Sequence, residues 1–420
     1  MKYTMLNQVI IACMITFGLV NCTRNNQVET FAKAEETTIK LNIEFSEQST
    51  RAPQDQSATD DETKVSTLDV FIFDAGTKRL ENRVKLTAQD IEKDPTRETY
   101  NSKAVEIRAM TGSKLVAAGI NLPASFPEIA TSAELQRAWE VSVSTLNNAN
   151  GIVMFSKKLE NPTLVTQNDV DYATNNTVTI KVERTLAKIA VQDGGFVASL
   201  SSGVISDASF AMRNSNTRLF PMQVIENGIV KDPNWATAIP YSSSDFEHFS
   251  DYVSINAKTN SDRRSWNTKY VPENTIESPL EKTATYASIR VKFTPAYYTD
   301  GRGNQVTSTT HGDFWTVVRD GTVYYFNDKI EATQFAVKGG TVSETYKNGY
   351  AYYNAFINVK NGCNVYRNAF YNVKISLIVP PGSPTPGVEN PESPIKESTN
   401  IKVSIDLEDW DYQEDEYPLS

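Results

Sequence analysis

Two short segments near opposite ends of the chain share one pattern of alternating side chains, and this pair most constrains the fold. In the first segment, Thr37 to Phe45, the apolar positions are Ile39, Leu41, Ile43 and Phe45. In the second, Asn400 to Trp410, they are Ile401, Val403, Ile405 and Leu407. Alternation with a period of two is typical of a β-strand that buries one face. The two strands are therefore interchangeable in pattern, and one could occupy a place that the other leaves.

A bond that a protease could reach follows the first of these strands. The polar run Ser46 to Thr50 leads directly into Arg51 and Ala52, and Arg51 is the only arginine between Arg24 and Arg79. We interpret the first strand as the occupant of a groove until the chain is cut after Arg51. The second strand, supplied by another molecule, would then fill the groove. An ordinary exposed arginine in a polar linker is the simpler explanation of the same residues.

The N-terminus carries an export signal. The apolar run Val9 to Val20 is too short to span a bilayer comfortably and fits the apolar region of a signal peptide. It ends in Leu-Val-Asn-Cys, which resembles a lipobox with Asn21 where a small residue is usual. The sequence predicts a lipoprotein signal peptide over residues 1–22 with lipidation at Cys22, and a propeptide over residues 23–51. An ordinary signal peptide with an incidental cysteine is the alternative, and it also implies export.

The rest of the chain favours strands arranged in two domains. A length of 420 residues favours two domains over one, and the aromatic content of 10% is dominated by Tyr and Phe. We predict an all-β fold with one sandwich over residues 52–182 and a second over residues 183–379. One long bent strand in a single domain is the alternative at this boundary. A short helix is expected within Thr131 to Glu140, and a long insertion loop over Lys231 to Glu273.

The C-terminal region changes composition twice. The segment Pro380 to Pro394 is rich in proline, which predicts an extended, semi-rigid spacer over residues 380–400. Residues 401–420 then form the second alternating strand and an acidic tail. A proline spacer before the last strand would detach that strand from its own fold.

The chain offers no pattern of catalytic or metal-binding residues. His248 and His311 lie far apart in sequence, and Cys363 is the only cysteine outside the export segment. Nothing else gathers around the acidic pair Asp169 and Asp171. The pair Asp409 and Asp411 belongs to the acidic run Asp406 to Glu416, which we interpret as a solvated tail, with loose binding of a cation as the alternative. The Gly301–Gly303 segment reads as a turn and does not match a phosphate-binding loop. We therefore expect no enzyme activity, no cofactor and no metal, and the net charge of −10 argues against a nucleic-acid partner.

Several short motifs, in a fixed order along the chain, carry a resemblance to a known family. They are Val182-Glu183-Arg184, Val271-Pro272-Glu273-Asn274-Thr275, Ala284-Thr285-Tyr286, Arg290 to Pro295, Val365-Tyr366-Arg367-Asn368, the proline-rich spacer and the last strand with Trp410. In these features the chain resembles the type V pilins, or fimbrillins, of the Bacteroidetes. It looks most similar to the shaft subunit of the short, or minor, fimbriae of Porphyromonas.

This resemblance implies a fold, a maturation route and a set of partners. The fold would be two transthyretin-like β-sandwiches in tandem. The precursor would be an outer-membrane lipoprotein, and an arginine-specific protease would cut it between Arg51 and Ala52. The mature chain would polymerise with copies of itself and with accessory subunits in a cell-surface fimbrium. Such a fimbrium would support adhesion to host or bacterial receptors and biofilm formation.

Two other function classes remain open at this point. An accessory tip or anchor subunit should lack one of the two alternating strands, and this chain has both. A surface lipoprotein that binds glycans could stack sugars on exposed aromatic rings, for which Trp235, Trp266 and Trp315 are candidates. In an all-β protein such rings more often pack in the core.

Overall fold

The computed structural model describes residues 34–45, 58–93, 99–102, 107–235, 245–307, 312–396, 399–408 and 410. Strands account for 49% of the described residues and helices for 10%, which confirms the predicted all-β, sandwich-like fold. The alternation of apolar and polar residues in the longer strands explains this choice, because each such strand can bury one face.

Ten of the described strands form an N-terminal sheet. They are β1 (Glu36–Phe45), β2 (Thr67–Asp74), β3 (Leu80–Thr87), β4 (Ile91–Lys93), β5 (Thr99–Ser102), β6 (Ile107–Met110), β7 (Gly112–Ile120), β8 (Met154–Ser156), β9 (Thr163–Leu164) and β10 (Thr177–Arg184). The order across the sheet is β3-β2-β7-β8-β10-β1-β5-β4, while β6 pairs with β1 and β9 with β7. Strand β1 is therefore an interior strand.

The C-terminal half places two sheets around a second core. The strands concerned are β11 (Leu186–Asp193), β12 (Gly203–Arg213), β13 (Thr268–Pro272), β14 (Tyr286–Pro295), β15 (Tyr350–Phe356), β16 (Phe370–Ile378) and β17 (Ile401–Glu408). One sheet has the order β13-β11-β16-β17, and the other contains the consecutive strands β12-β14-β15, with β15 at its edge. Because β17 is last in its sheet, it is an edge strand of the described fold.

Short strands complete the fold around these sheets. Ser199–Leu200 and Val253–Ser254 pair with β12, and Trp315–Arg319, Thr322–Phe326 and Thr341–Val342 form a small sheet. The remaining short pairs are Trp139–Glu140 with Arg218–Leu219, Asn147–Asn148 with Gly151–Ile152, Ser215–Asn216 with Phe246–Glu247, Val224–Glu226 with Ile229–Lys231, and Tyr297–Thr299 with Gln305–Thr307.

The described helices are short. The α-helices are α1 (Asp60–Thr63), α2 (Val143–Leu146), α3 (Tyr172–Asn175) and α4 (Lys329–Ala336). The 3₁₀-helices span Ser132–Gln136, Arg263–Ser265, Lys347–Gly349 and Val359–Asn361. The helix expected within Thr131 to Glu140 is thus a single 3₁₀ stretch, and Trp139 and Glu140 at its end are extended. The expected insertion loop also contains short strands, because its polar sequence has no period that would reveal them.

Three large apolar cores, the largest of five apolar clusters in the described residues, hold these sheets together. One lies within the N-terminal sheet, where side chains of β1, β2, β7 and β10 meet. A second lies between the two C-terminal sheets. A third joins the halves, since it combines Phe71, Phe73 and Phe155 with Leu186 and Phe370.

The chain crosses from the N-terminal sheet to the C-terminal sheets at Thr185, next to the predicted domain boundary. The chain from Glu35 onward groups as one compact unit. The division into two domains therefore stays a prediction.

Candidate assembly site

The first alternating strand is built into the middle of the N-terminal sheet. Strand β1 runs parallel to β10, with Lys40 opposite Thr177 and Phe45 opposite Val182. On its other side it runs antiparallel to β5 and β6. Ile39, Leu41 and Ile43 are buried in the N-terminal core, and Phe45 packs at its margin. The strand therefore fills a slot between two hydrogen-bonding edges.

A buried asparagine fixes the start of this strand. The Asn176 side chain donates to the Thr37 hydroxyl over 2.9 Å and to the Thr38 carbonyl over 2.8 Å. Asn176 also exchanges hydrogen bonds with the backbone of Val165, at 3.0 and 3.1 Å. The Tyr172 hydroxyl lies 2.6 Å from the Thr38 hydroxyl. The register of β1 is thus set by polar contacts as well as by its apolar face.

The second alternating strand has a more open environment. Strand β17 pairs antiparallel with β16, from Ile401 opposite Ile378 to Leu407 opposite Tyr371. Ile401 is buried, Val403 and Ile405 are half-buried, and Leu407 keeps 46% of its surface exposed. The two strands of equal sequence pattern therefore differ in burial, since one is interior and the other is at an edge.

The proline-rich spacer is docked along its own chain. Ser383 and Tyr352 exchange backbone hydrogen bonds of 2.8 and 2.9 Å, and the Asn354 side chain donates to the Gly387 carbonyl over 2.7 Å. An ion pair of 2.6 Å joins Lys282 to Glu392. The extended spacer expected from the sequence is thus held by β15 and by the segment before β14.

A buried polar cluster lies where the two halves meet, and we call Glu62, Arg184, Lys188, Tyr270 and Trp410 the junction cluster. Glu62 in α1 accepts from the Lys188 ammonium, with N–O distances of 2.9 and 3.0 Å, and from the Tyr270 hydroxyl. The Arg184 guanidinium donates to the Glu62 carbonyl over 3.0 Å. The cluster therefore ties the segment that follows the expected cleavage position to both sheets.

Trp410 connects the C-terminal segment to this cluster. Its ring stacks on Tyr270 with centroids 5.9 Å apart, and the Arg184 guanidinium carbon lies 4.8 Å from the ring centroid. Only 2% of the Trp410 surface is exposed. The buried tryptophan therefore anchors the chain just beyond β17.

The ionisation of Glu62 follows from these contacts. Burial on its own raises the pKa of this carboxyl group, but the Lys188 ammonium acts against it. Hydrogen bonds from Tyr270 and from the Thr59 amide add to the effect of Lys188. The net result is a pKa below the ordinary value of 4.5, so Glu62 is ionised at neutral pH.

The motifs that carry the family resemblance converge around the junction. The Arg184 guanidinium donates to the Asn368 side chain over 3.1 Å. Asn274 and Val365 exchange two backbone hydrogen bonds of 2.9 Å. Arg367 and Glu273, both 1% exposed, lie 3.3 Å apart. Residues spread over almost 200 positions thus build one polar joint between β10, β11 and β13.

The other predicted site residues are distributed as follows. Cys22, Arg51 and Ala52 lie outside the described residues, as do His311 and Asp409. Trp266 is buried, and Trp235 and Trp315 are half-buried. Among the described residues, no group of three His, Cys, Asp or Glu side chains is placed to hold a metal ion. No helix within the described ranges is long and apolar enough to cross a membrane.

Sequence reasoning missed two features of the site. Glu62 stands in the polar stretch Asp60–Thr63 and reads as a solvated surface residue. The pair Thr59 and Glu62 is a capping box, which signals the helix start but not the ion pair. The docking of the spacer has no sequence signal, because proline-rich segments are extended with or without a partner.

Two family models match the chain. The model described as major fimbrial subunit protein (FimA) matches residues 37–193. The model described as major fimbrial subunit protein type IV, fimbrillin, C-terminal, matches residues 344–416. The chain belongs to the fimbrillin family of the Bacteroidetes. No curated protein matches it in sequence.

Solved structures are similar to this chain at low sequence identity. A Parabacteroides distasonis protein described as a cell adhesion protein is 13% identical, with a TM-score of 0.51, 89% of this chain covered and 97% of that chain. A fimbrilin (fimA) from Porphyromonas gingivalis is 14% identical, with a TM-score of 0.48, 89% of this chain covered and 98% of that chain. The tip fimbrial protein Mfa3 from the same organism, with a C-terminal truncation, is 14% identical, with a TM-score of 0.41, 90% of this chain covered and 100% of that chain. Family membership makes the chain a fimbrial subunit of a cell-surface fimbrium that assembles with other subunits.

Proposed function

We propose that this chain is the shaft subunit of its fimbrium and that it polymerises by donor-strand exchange. The precursor is exported, acylated at Cys22 and held at the outer membrane. An arginine-specific protease then cuts after Arg51, and the mature chain starts at Ala52. Loss of β1 opens a slot that β17 of the next subunit fills.

The observation that carries this proposal is the contrast between the two alternating strands. β1 is hydrogen-bonded on both sides and buries Ile39, Leu41 and Ile43, so its removal leaves an apolar slot between two unpaired edges. Such a slot invites the addition of a strand. β17 is an edge strand with the same alternation, and it is only partly buried on its own chain.

Burial of the β17 side chains in the slot would lower the free energy and so favour exchange. In the slot, Leu407 would bury the 46% of its surface that it now exposes, and the half-buried Val403 and Ile405 would bury their smaller exposed fractions. Full burial of such a side chain is worth about 1.5–3 kcal/mol, so the three together gain roughly 1–3 kcal/mol. Each subunit donates at one end and accepts at the other, so the contact does not close and the product is a filament.

A non-enzymatic, structural role follows from the family. Adhesion to host or bacterial receptors, contact with accessory subunits and a contribution to biofilm complete the proposal. An accessory tip or anchor subunit is the second candidate, and the presence of both alternating strands favours the shaft.

The experiment compares donor-strand variants of processed protein. Val403→Asp with Ile405→Asp places two charges on the apolar face of β17 and should abolish SDS-resistant ladders. Ser404→Asp on the exposed face of the same strand is the matched control and should assemble normally. Because the double variant keeps a vacant slot, mixing it with wild type should give shortened ladders. Full-length ladders from the double variant alone would contradict the mechanism.

Processing is tested separately. Subunits from assembled fibres should begin at Ala52, and Arg51→Ala should leave unassembled monomer at the membrane. Fibres whose subunits begin at Cys22 would refute the cleavage step.

A further inference from the structure

The sheet that contains β12, β14 and β15 has one face in the second core and one face outside it. Along β14, Ile289, Val291 and Phe293 are buried in that core. Because side chains alternate along a strand, Arg290 and Lys292 between them lie on the outer face. The two cations therefore share one side of the sheet.

The neighbouring strands extend this outer face. Antiparallel pairing sets Tyr352 of β15 opposite Arg290 and Tyr350 opposite Lys292. On the other side of β14, Arg213 of β12 lies opposite Tyr286, which precedes Arg290 by four residues and so shares its face. We call these outer residues, together with the ring that packs on them, the basic tyrosine face. Its members are Arg213, Tyr252, Arg290, Lys292, Tyr350 and Tyr352.

Tyrosine rings hold Arg290 in place on this face. Its guanidinium carbon lies 4.3 Å from the Tyr252 ring centroid and 4.6 Å from that of Tyr350. The Arg290 Nε donates to the Ser209 hydroxyl over 3.2 Å, and the described residues supply no acceptor for its other N–H groups. An arginine stacked on rings keeps these N–H groups in the guanidinium plane, where a carboxylate can accept two of them.

The charge of the basic tyrosine face is not balanced within the described residues. Arg213, Arg290 and Lys292 form no ion pair there. All three are half-buried, in a chain of net charge −10. Burial raises the pKa of Tyr352, and the Arg290 and Arg213 cations act against that rise, so both guanidinium groups act on one hydroxyl. Such a face is complementary to an anionic partner.

The chain itself contains an anionic segment of suitable chemistry. Residues 411–420, Asp-Tyr-Gln-Glu-Asp-Glu-Tyr-Pro-Leu-Ser, carry four side-chain carboxylates and no lysine or arginine. We call them the acidic tail; they lie outside the described residues. The carboxylates suit the cations of the face, and Tyr412 and Tyr417 suit its rings. The acidic tail follows β17 closely, so it travels wherever that strand goes.

We propose that the basic tyrosine face binds the acidic tail of a second copy of this chain. Arg290 and Lys292 pair with tail carboxylates, and Arg213 adds a third cation. The delivery of the tail rests on the proposed strand exchange. A donor strand with the direction of β1 would end beside Val182, where the slot adjoins the C-terminal half, and ten extended residues span about 33 Å. The contact would tie the donor to the C-terminal half of its neighbour.

The test uses the uncut monomer and a synthetic peptide, so that it does not depend on polymerisation. A dye-labelled peptide of residues 411–420 is titrated with full-length protein, and binding is followed by fluorescence anisotropy. We expect saturable binding that weakens with added salt. The same peptide with amides in place of its four side-chain carboxylates should not saturate. Arg290→Gln with Lys292→Gln should weaken binding about tenfold or more, because charged hydrogen bonds are lost.

Matched variants separate this face from general charge effects and from misfolding. Lys292→Gln alone removes no ion pair of the described fold and should still weaken binding severalfold. Lys329→Gln with Lys338→Gln removes two exposed cations near the two ends of α4, and binding should be unchanged. Absence of saturation, equal binding of the amide peptide, or equal loss in both double variants would overturn the proposal.

A further variant tells a neighbour's tail from the chain's own. Full-length protein in which Asp411, Glu414, Asp415 and Glu416 are replaced by the matching amides should bind the peptide as tightly as wild type does. Much tighter binding by this variant would show that the monomer's own tail occupies the face, which would overturn the assignment to a second copy. Peptide binding with the expected losses would support the face even if the β17 variants still formed ladders, so this proposal and strand exchange fail separately.

Discussion

Trp410 should restrain β17 on its own subunit, and its removal should loosen that strand selectively. The Trp410 ring is buried between Tyr270 and Arg184, just beyond the end of β17. Of the four apolar side chains of β17, by contrast, only Ile401 is buried. Much of the energy that docks the C-terminal segment therefore resides in one aromatic residue outside the strand.

The magnitude follows from the contacts. Truncation of a buried tryptophan to alanine costs about 3–5 kcal/mol, including the stacked ring and the cation above it. If β17 opens locally, this cost appears as a rise of roughly 10²–10³-fold in its open population, since about 1.4 kcal/mol is a factor of ten. Leu407→Ala is the matched control, because this side chain is 46% exposed and should change opening less than about fivefold.

Hydrogen exchange of the uncut monomer measures this effect. Peptides that contain β17 should exchange much faster in Trp410→Ala than in wild type, whereas peptides from β1 should exchange at the same rate in both. A rise of less than about tenfold in the β17 peptides would refute the reasoning. Equal acceleration of β1 would show that Trp410 stabilises the whole fold and not the C-terminal segment.

Three further predictions concern buried polar groups. Because the pKa of Glu62 is lowered on folding, its contribution to stability is complete above about pH 4.5 and is lost as pH falls through the lower folded value. The urea midpoint of wild type should drop in that acid range, and Glu62→Gln should flatten the drop while costing about 3–5 kcal/mol at neutral pH. Asn176→Ala removes the side-chain acceptor of the half-buried Val165 amide and a donor to the Thr38 carbonyl, and it should destabilise the uncut precursor by about 1–3 kcal/mol in urea unfolding. Cys363 is buried and burial raises its pKa to about 12, so native protein should react with a thiol reagent far more slowly than unfolded protein.

The parts of the fold that were predicted correctly are those with local sequence signals. The period-two alternation of Ile39 to Phe45 and of Ile401 to Leu407 predicted both strands, because a half-buried strand needs no more than that pattern. The alternation does not predict whether a strand lies in the interior or at the edge of its sheet. Interior and edge strands of equal alternation differ only in which neighbours the rest of the chain provides.

The junction cluster could not be predicted because its members are distant in sequence. Glu62, Lys188 and Trp410 are brought together only when both halves have folded. A buried ion pair also contradicts the usual rule that charged residues are exposed, so composition argues against it. The buried ion pair is stable because the Glu62 carboxylate accepts hydrogen bonds from an ammonium, a hydroxyl and a backbone amide at once.

The difference between the two strands also bears on when exchange can occur. While β1 fills the slot of each subunit, no vacant slot is available to β17. Trp410 also helps to hold β17 on its own subunit. Withdrawal of β17 forfeits the buried Trp410 contacts, worth about 3–5 kcal/mol, against a gain of roughly 1–3 kcal/mol from fuller burial in a neighbour's slot. Side-chain burial alone therefore does not drive exchange. The remaining difference is in backbone pairing, because β17 is bonded on one side at its edge and would be bonded on both sides in the slot. Removal of β1 is therefore the event that makes exchange favourable, and a subunit that keeps β1 should remain a monomer even when Trp410 is replaced.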